Sequence, residues 1–295
     1  MIIDMRCRLT STGAADYFSK KIGKQIHQRS HSFNSQNHDS FFSEIESAGI
    51  TTAISVSGNN PGARIGKTLF PDRTTSNDLL ASVQVAYPGK FIGVAGIDVS
   101  NSFHDAMDEI ERCINVLRLK AVFIEPGRSP GCLLSDARLY PIYDKCSRLG
   151  VPIIPQTSGP FGGKTIDYAH PRHIDQIASD FPNLHIICGH GCYPYVREAI
   201  IVAGRNSNVW MSPDLYLFGL GSMDWIQAVN TNHLGFADKF LFASGYPSVN
   251  IKSYVEQFFK IPWNSKILNR ILYKNALRAL KLESDPEFIS IYGDA

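Results

Sequence analysis

Short apolar runs alternate with amphipathic helical patterns along the chain. Eight runs have the length and composition of strands, at residues 2–8, 51–57, 91–97, 119–125, 151–157, 185–190, 208–212 and 239–244. They are almost continuously apolar, as is typical of parallel strands covered by helices. Between them, apolar residues recur at the 3.6-residue period of a helix, as in Ala106, Met107, Ile110 and Ile114. Eight strands, each followed by a helix, predict a (β/α)8 barrel.

Two further features complete the predicted barrel. An extra C-terminal helix is predicted at about residues 264–282, and the polar segments 9–37 and 58–77 follow strand ends, where they would lie as lids over the top face. No linker or repeat divides the chain, so residues 1–295 are predicted to form a single domain. An open doubly wound sheet is the alternative, but no glycine-rich G-x-G-x-x-G sequence follows a strand.

The charge distribution argues against a nucleic-acid or membrane-surface protein. The net charge is +2, from 29 Lys+Arg and 27 Asp+Glu, and the longest basic run is the pair Lys20-Lys21. No apolar segment approaches the roughly 20 residues of a membrane span, and strand-like sequence from residue 2 leaves no space for a signal peptide. The six scattered cysteines are expected to be free thiols. We therefore expect a cytoplasmic protein.

Two arginines stand one residue apart at the end of the first predicted strand. Side chains alternate across a strand, so Arg6 and Arg8 point to the same face. Inside a closed sheet, two guanidinium groups need an anion or many hydrogen bonds to offset their desolvation. The pair is interpreted as a clamp for a substrate carboxylate or phosphate. The alternative is an internal salt-bridge network with Glu125, Asp214 or Asp98, and one arginine could take each role.

Other candidates also stand at predicted strand ends. His190 is a candidate general acid or base whose pKa nearby guanidiniums would lower, or else a hydrogen-bonded core histidine. Gln156 either orients the substrate or the imidazole, or packs in the barrel. Asp214 either pairs with an arginine or supports His190. Glu125 is interpreted as a counter-ion near the substrate, and Ser244 as a further substrate-binding candidate.

A cysteine cluster surrounds the candidate histidine. The sequence Cys188-Gly189-His190-Gly191-Cys192 resembles a metal-binding pattern, but no second pair of ligands at zinc spacing accompanies it. Cys188 is expected to point into the barrel core, where a free cysteine is common. Cys192 as a nucleophile is a further reading, because nearby arginines would lower the pKa of its thiol.

Several blocks, in order along nearly the whole chain, resemble the amidohydrolase-related family. This is the branch of the amidohydrolase superfamily that includes aminocarboxymuconate-semialdehyde decarboxylase and resorcylate decarboxylases. The resemblance implies a (β/α)8 barrel with hydrolase or decarboxylase chemistry. The blocks that carry it are residues 1–4 (MIID), 120–126 (KAVFIEP), 136–158, 180–184 (DFPNL), 188–191 (CGHG), 242–247 (FASGYP) and 275–277 (NAL).

The chain departs from that family at the metal-ligand positions. The family has His-x-His at the end of the first strand, a histidine on the fifth and an aspartate on the eighth. Arg6 and Arg8, Gln156 and Gly245 stand there instead, and His190 alone matches. Arginine has no lone pair to offer a cation, and a zinc site needs histidine and carboxylate ligands. The resemblance with these departures therefore implies no metal cofactor.

Three functional hypotheses follow. The first is a metal-independent hydrolase of a small carboxylated substrate (a lactone, cyclic acid or aryl acid), in which Arg6 and Arg8 bind the anion and His190 moves the proton. A decarboxylase or other lyase of the same family is its alternative, although cations beside the scissile carboxylate would stabilise the ground state. The second is a catalytically inactive barrel that binds a small anion. The third is an oligomerising structural protein, and a homo-oligomer is compatible with all three.

Overall fold

In a computed structural model of the chain, helices surround a set of parallel strands. The structure describes residues 1–10, 32, 37–56, 62–70, 74–101 and 105–293. The strands of these residues are β1 (Ile3–Cys7), β2 (Thr52–Val56), β3 (Ala63–Ile65), β4 (Thr68–Phe70), β5 (Phe91–Ile97), β6 (Ala121–Ile124), β7 (Ile153–Pro155), β8 (Ile186–Gly189) and β9 (Val209–Ser212). Seven of them form one sheet in the order β1-β2-β5-β6-β7-β8-β9, and each pair of neighbours is parallel. β3 and β4 form an antiparallel hairpin outside it.

The segment after β9 takes the eighth position and closes the sheet. Phe240 pairs in parallel with Met211 of β9. On the other side, the N–H of Met5 in β1 donates to the carbonyl of Phe242 at 3.0 Å, and the N–H of Gly245 donates to the carbonyl of Arg6 at 2.9 Å. Backbone hydrogen bonds therefore join the last position to the first, and the predicted (β/α)8 barrel is confirmed.

Helices alternate with the strands, as the 3.6-residue pattern predicts. Local signals set their ends: α4 ends at Gly150, whose φ of 71° suits glycine, and α8 begins after Asn250, whose side chain accepts from the N–H of Ser253. The described helices are α1 (His38–Ser47), α2 (Asn77–Ala86), α3 (Asp105–Glu111), α4 (Tyr140–Leu149), α5 (Pro171–Asp180), α6 (Val196–Arg205), α7 (Ser222–Asn230), α8 (Ile251–Lys260), α9 (Asn275–Ala279) and α10 (Pro286–Tyr292).

The C-terminal part of the chain differs from the prediction in detail. The predicted helix at 264–282 is divided into a 3-10 turn (Ser265–Ile267), a π-helical turn (Arg270–Lys274) and α9. α10 follows it and is anchored by a hydrogen bond of 2.6 Å between the hydroxyls of Tyr292 and Thr52. None of the described helices has the length and hydropathy that crossing a bilayer requires.

The predicted lids lie largely outside the described residues. Residues 11–31, 33–36, 57–61 and 71–73 are not described, so their role as lids stays a prediction. Within the second segment, the β3–β4 hairpin is described. Phe70 of this hairpin packs edge-on against Phe161, which follows β7, with ring centroids 5.9 Å apart. The hairpin therefore contacts the loop at the carboxyl end of β7.

Candidate functional site

Arg6 lies near the carboxyl end of β1 and is almost fully buried. Its Nη2 lies 2.9 Å from Nε2 of His190, and its Nε lies 3.3 Å from Oδ2 of Asp214. His190 is the first residue after β8, and Asp214 is the second residue after β9. Parallel strands place their carboxyl ends on one face, which is why three residues so distant in sequence meet there. We call these three side chains the Arg–His–Asp cluster.

The hydrogen bonds determine the tautomer of His190. A guanidinium has only donors, so Arg6 must donate to a lone pair on Nε2. The ring proton is therefore on Nδ1, which lies 2.7 Å from Oδ2 and 3.0 Å from Oδ1 of Asp214. Burial, with the charge of Arg6 as the next cause, lowers the pKa of His190 below 6.5, and Asp214 opposes this shift. The imidazole is neutral near pH 7, with its basic nitrogen covered by Arg6.

Asp214 is the shared carboxylate of the cluster. Its side chain has no exposed surface, and it contacts both Arg6 and His190. Its main-chain carbonyl accepts a hydrogen bond of 2.6 Å from the hydroxyl of Tyr254. The sequence left open whether Asp214 pairs with an arginine or supports His190, and the structure shows both contacts. His190 and Asp214 also share a left-handed backbone, with φ of 75° and 47°.

Arg8 is the first residue after β1, two positions beyond Arg6. Its Nη1 donates to the carbonyl of Val56 at the end of β2, at 3.1 Å. The guanidinium carbons of Arg6 and Arg8 lie 5.4 Å and 5.8 Å from the ring centroid of Phe123 in β6. One aromatic ring thus contacts both cations, an interaction of about 0.5–2 kcal/mol for each.

Gly189, the last residue of β8, leaves the space in which the Arg6 guanidinium lies. A Cβ at this position would lie 2.4 Å from Nη1 of Arg6, far inside van der Waals contact. Gly189 belongs to the CGHG block, and no role for it was predicted from the sequence, because the guanidinium that it accommodates comes from another strand.

Asp4 and Ser244 lie below Arg6 in the barrel and are fully buried. Asp4 Oδ1 accepts from the N–H groups of Arg6 and Ser244, and its Oδ2 accepts from the Ser244 hydroxyl at 2.5 Å. The same hydroxyl accepts from the N–H of Tyr246 at 3.0 Å. Burial raises the pKa of Asp4 to about 6. Ser244, a substrate-binding candidate from the sequence, donates its only side-chain hydrogen to Asp4.

Glu125 and Gln156 also make internal contacts at the strand ends. Glu125 forms an ion pair of 3.1 Å with Arg128, and both side chains are almost fully buried. Arg128 lies 4.4 Å from the ring centroid of Phe70 and donates to the carbonyl of Phe161 at 3.1 Å, so it ties the hairpin and the β7 loop to β6. Oε1 of Gln156 accepts from a loop N–H two residues later at 2.7 Å. No role for Arg128 was predicted from the sequence.

An aromatic pair forms a wall beside the imidazole. Tyr216 meets His190 edge to face, with centroids 5.4 Å apart, and stacks on Tyr193 at 4.2 Å. The Tyr216 hydroxyl lies 3.0 Å from the hydroxyl of Ser158. Burial raises the pKa of Tyr216 to about 12, so it stays a hydrogen-bond donor near neutral pH. Neither tyrosine was among the site residues predicted from the sequence.

The side chains around His190 offer few atoms that could bind a cation. Arg6 and Arg8 contribute guanidinium groups, which have no free lone pair, and the ring nitrogens of His190 contact Arg6 and Asp214. Within the described ranges, no group of three or more His, Cys, Asp or Glu side chains converges on a point. Cys188 and Cys192, described as free and buried, are in mutual contact, and burial raises the pKa of Cys188. The metal-free reading stays a prediction.

Comparisons with known proteins agree with this architecture. The family model of the amidohydrolases matches residues 55–282. No curated protein matches the chain. Among solved structures, an uncharacterised TIM-barrel protein, Bb4693 from Bordetella bronchiseptica, is 33% identical, with 95% of this chain and 98% of that chain covered and a TM-score of 0.79.

Two further solved structures share the fold at low identity. A dihydroxybenzoic acid decarboxylase from Polaromonas sp. JS666, with bound manganese and the inhibitor 2-nitroresorcinol, is 16% identical (97% and 98% covered, TM-score 0.73). A 5-carboxyvanillate decarboxylase from Novosphingobium aromaticivorans is 17% identical, with 96% of each chain covered and a TM-score of 0.63. It is complexed with manganese and 4-hydroxy-3-methoxy-5-nitrobenzoic acid.

Proposed function

The chain belongs to the amidohydrolase family, and we propose that it is a metal-independent hydrolase. Its substrate is a small carboxylated compound, either a lactone or the ester of a cyclic or aryl acid. Arg6 and Arg8 bind the carboxylate, and His190 transfers the proton. The observation that carries the proposal is the hydrogen bond between Arg6 Nη2 and His190 Nε2 beside the buried carboxylate of Asp214. It joins an anion-binding group to a neutral base at the carboxyl ends of the strands.

In this proposal the substrate carboxylate uncovers the base. A guanidinium prefers two parallel, charge-assisted hydrogen bonds to a carboxylate over one bond to a neutral imidazole. When Arg6 turns toward the substrate, Nε2 of His190 loses its donor and its lone pair becomes available. Asp214 keeps the ring in place through Nδ1. The base is then available only while an anionic substrate is bound.

The chemical step follows from that arrangement. Nε2 of His190 takes a proton from water while the water oxygen forms a bond to the ester carbonyl carbon. A guanidinium stabilises the oxyanion as it develops. The C–O bond to the leaving group then breaks, and the leaving oxygen takes the proton from Nε2. Asp214 stabilises the imidazolium between these two proton transfers. Because the pKa of His190 lies below 6.5 in the free protein, the rate is expected to fall only on the acid side of that value.

Decarboxylation of a hydroxybenzoate is the second candidate. It is favoured by the two structural neighbours named as decarboxylases, one of them holding a benzoic acid. In that reaction the C–C bond to the carboxylate breaks, carbon dioxide leaves, and the ring carbon takes a proton from a general acid. Two considerations weigh against it: guanidiniums stabilise the scissile carboxylate before reaction, and His190 carries no acidic Nε2 proton in the free protein. The identities of 16% and 17% support the fold alone.

The test is product analysis by NMR on a panel of carboxylated lactones, carboxylated aryl esters and hydroxybenzoates. Wild type is compared with Arg6→Met and His190→Asn. Asparagine tolerates the left-handed backbone of position 190. The matched control is Arg172→Met, which removes an exposed arginine of α5 that forms an ion pair with Asp167.

Hydrolysis that falls about 10²–10⁴-fold in His190→Asn and is unchanged in the control would support the proposal. Release of carbon dioxide would favour the decarboxylase, and Arg6-dependent binding without turnover would favour the inactive anion-binding barrel. Either result would overturn the hydrolase. Elemental analysis of the purified protein tests the metal-free claim, which a stoichiometric transition metal would contradict.

A further inference from the structure

A pocket of about 260 Å³ opens at the amino-terminal ends of β6 and β7, the barrel end opposite the Arg–His–Asp cluster. It is bounded by the residues just before these strands and by the chain that follows α9. Its walls include apolar side chains (Ile114, Leu119, Val151 and Leu282), and its polar lining contains three cationic side chains and one carboxylate. The pocket lining therefore combines apolar side chains with an excess of positive charge.

The carboxylate neutralises one of the three cations. Lys120 forms an ion pair of 2.9 Å with Asp285. Arg118 and Lys281 are exposed and have no acidic partner among the residues that the structure describes. The one hydrogen bond of the Lys281 side chain within that part of the chain is a long one of 3.5 Å to the carbonyl of Asn183. Two positive charges thus remain in the pocket lining.

The backbone at both cations is unfavourable for a side chain. Arg118 has a φ of 59° and Lys281 a φ of 57°, and each directly follows the C-cap residue of a helical segment. Glycine is the preferred residue at this position, because a Cβ is strained in the left-handed region. A cation near a helix carboxyl end gains from the helix dipole. That gain does not explain why the two cations line the same pocket.

We propose that this pocket is a second ligand site, for a small anion with an apolar body. The carboxylate of the ligand would contact Arg118 and Lys281, and its body would lie against the apolar walls. The volume is slightly below the usual range of roughly 300–1,000 Å³ for small-molecule pockets, which restricts the ligand to the size of a benzoate or a short acyl carboxylate. The site is independent of the proposed hydrolase activity, because it uses none of the same residues.

Isothermal titration and thermal unfolding of the full chain test the site. The probes are benzoate, hexanoate and inorganic phosphate, each against sodium chloride at equal ionic strength. The variants are Arg118→Gly, Lys281→Gly and the double variant that carries both substitutions. Arg6→Met serves to remove the proposed catalytic anion site. Leu234→Gly is the matched control, since Leu234 is exposed, has a φ of 50° and does not line the pocket.

In the Arg6→Met protein, benzoate or hexanoate is expected to bind and raise the Tm, and the double glycine variant should weaken this binding at least 10-fold. Without ligand, the glycine variants should be as stable as the wild type or more so, because the backbone strain is relieved. Leu234→Gly should leave binding unchanged. Phosphate as effective as benzoate would show that the apolar walls are not used. That result would overturn the proposal. It would also be overturned if the ligand raised the Tm of the Arg6→Met protein equally with and without the two glycine substitutions.

Discussion

Asp214→Asn tests whether the buried carboxylate holds the Arg–His–Asp cluster together. The Asp214 side chain has no exposed surface, and that of Arg6 is 6% exposed, so water screens the pair little. At 3.3 Å and an effective dielectric constant of about 20, the attraction between the charges is about 5 kcal/mol. Asparagine has nearly the same shape and accepts a φ of 47°, so the substitution removes the charge without adding backbone strain. We expect the free energy of unfolding to fall by about 3–5 kcal/mol.

The assay is urea unfolding at pH 7, followed by tryptophan fluorescence. The control is Asp224→Asn, which makes the same chemical change in an ion pair with Arg197, whose side chain is 81% exposed. Its expected cost is below about 1 kcal/mol, because exposed pairs contribute little. An Asp214→Asn protein within 1 kcal/mol of wild type at an unchanged m-value would refute the reasoning. A double-mutant cycle with Arg6→Met should give a coupling energy of about 1–3 kcal/mol, because the two side chains are in contact.

Three further changes test close packing and buried polar groups in the barrel. Gly189→Ala should destabilise the protein by about 1–3 kcal/mol in urea unfolding, because the new Cβ overlaps the Arg6 guanidinium, whereas Gly49→Ala, with no atom near, shows backbone strain alone. The pKa of Asp4 is higher in the folded protein (about 6) than in the unfolded chain (3.8), so the folded state binds the proton more tightly. The free energy of unfolding of the wild type should therefore fall, by up to about 3 kcal/mol, as the pH rises from about 4 to above 6. Asp4→Asn should remove this pH dependence from the urea midpoints. Asn275→Ala should cost about 2 kcal/mol in thermal unfolding, because its buried amide donates to two main-chain carbonyls; a cost near zero would contradict this.

The barrel could be predicted because its strands are encoded locally. Buried parallel strands require continuous apolar runs, and the helices between them require a 3.6-residue period, so both patterns are visible in the chain itself. All seven strands of the parallel sheet lie within the predicted runs. The eighth position was also predicted, although residues 239–244 join the sheet through few hydrogen bonds. The broken helix after residue 264 was not predicted, because the helical period continues through its turns.

The site could be predicted only as far as strand ends determine it. That rule brought together Arg6, His190 and Asp214, which the structure places in direct contact. It could not tell which strand-end side chains the protein uses internally, and Ser244 proved to donate to Asp4. Contacts across the barrel were not predicted either, because they join side chains from strands that are distant in the sequence. The role of Gly189 depends on a guanidinium from another strand, which no local pattern reveals.

Backbone strain favours function over a purely structural role for the Arg–His–Asp cluster. His190 and Asp214 both have positive φ, at a cost of roughly 1–3 kcal/mol each, and they sit beside a buried guanidinium whose desolvation is also costly. Apolar side chains of similar volume would fill the same space without either cost. The imidazole and the carboxylate at these two positions both contact Arg6. Strain and buried charge concentrated at the carboxyl ends of the strands are characteristic of a preorganised site, and the Arg6–His190 hydrogen bond is the part of it that a carboxylate would open.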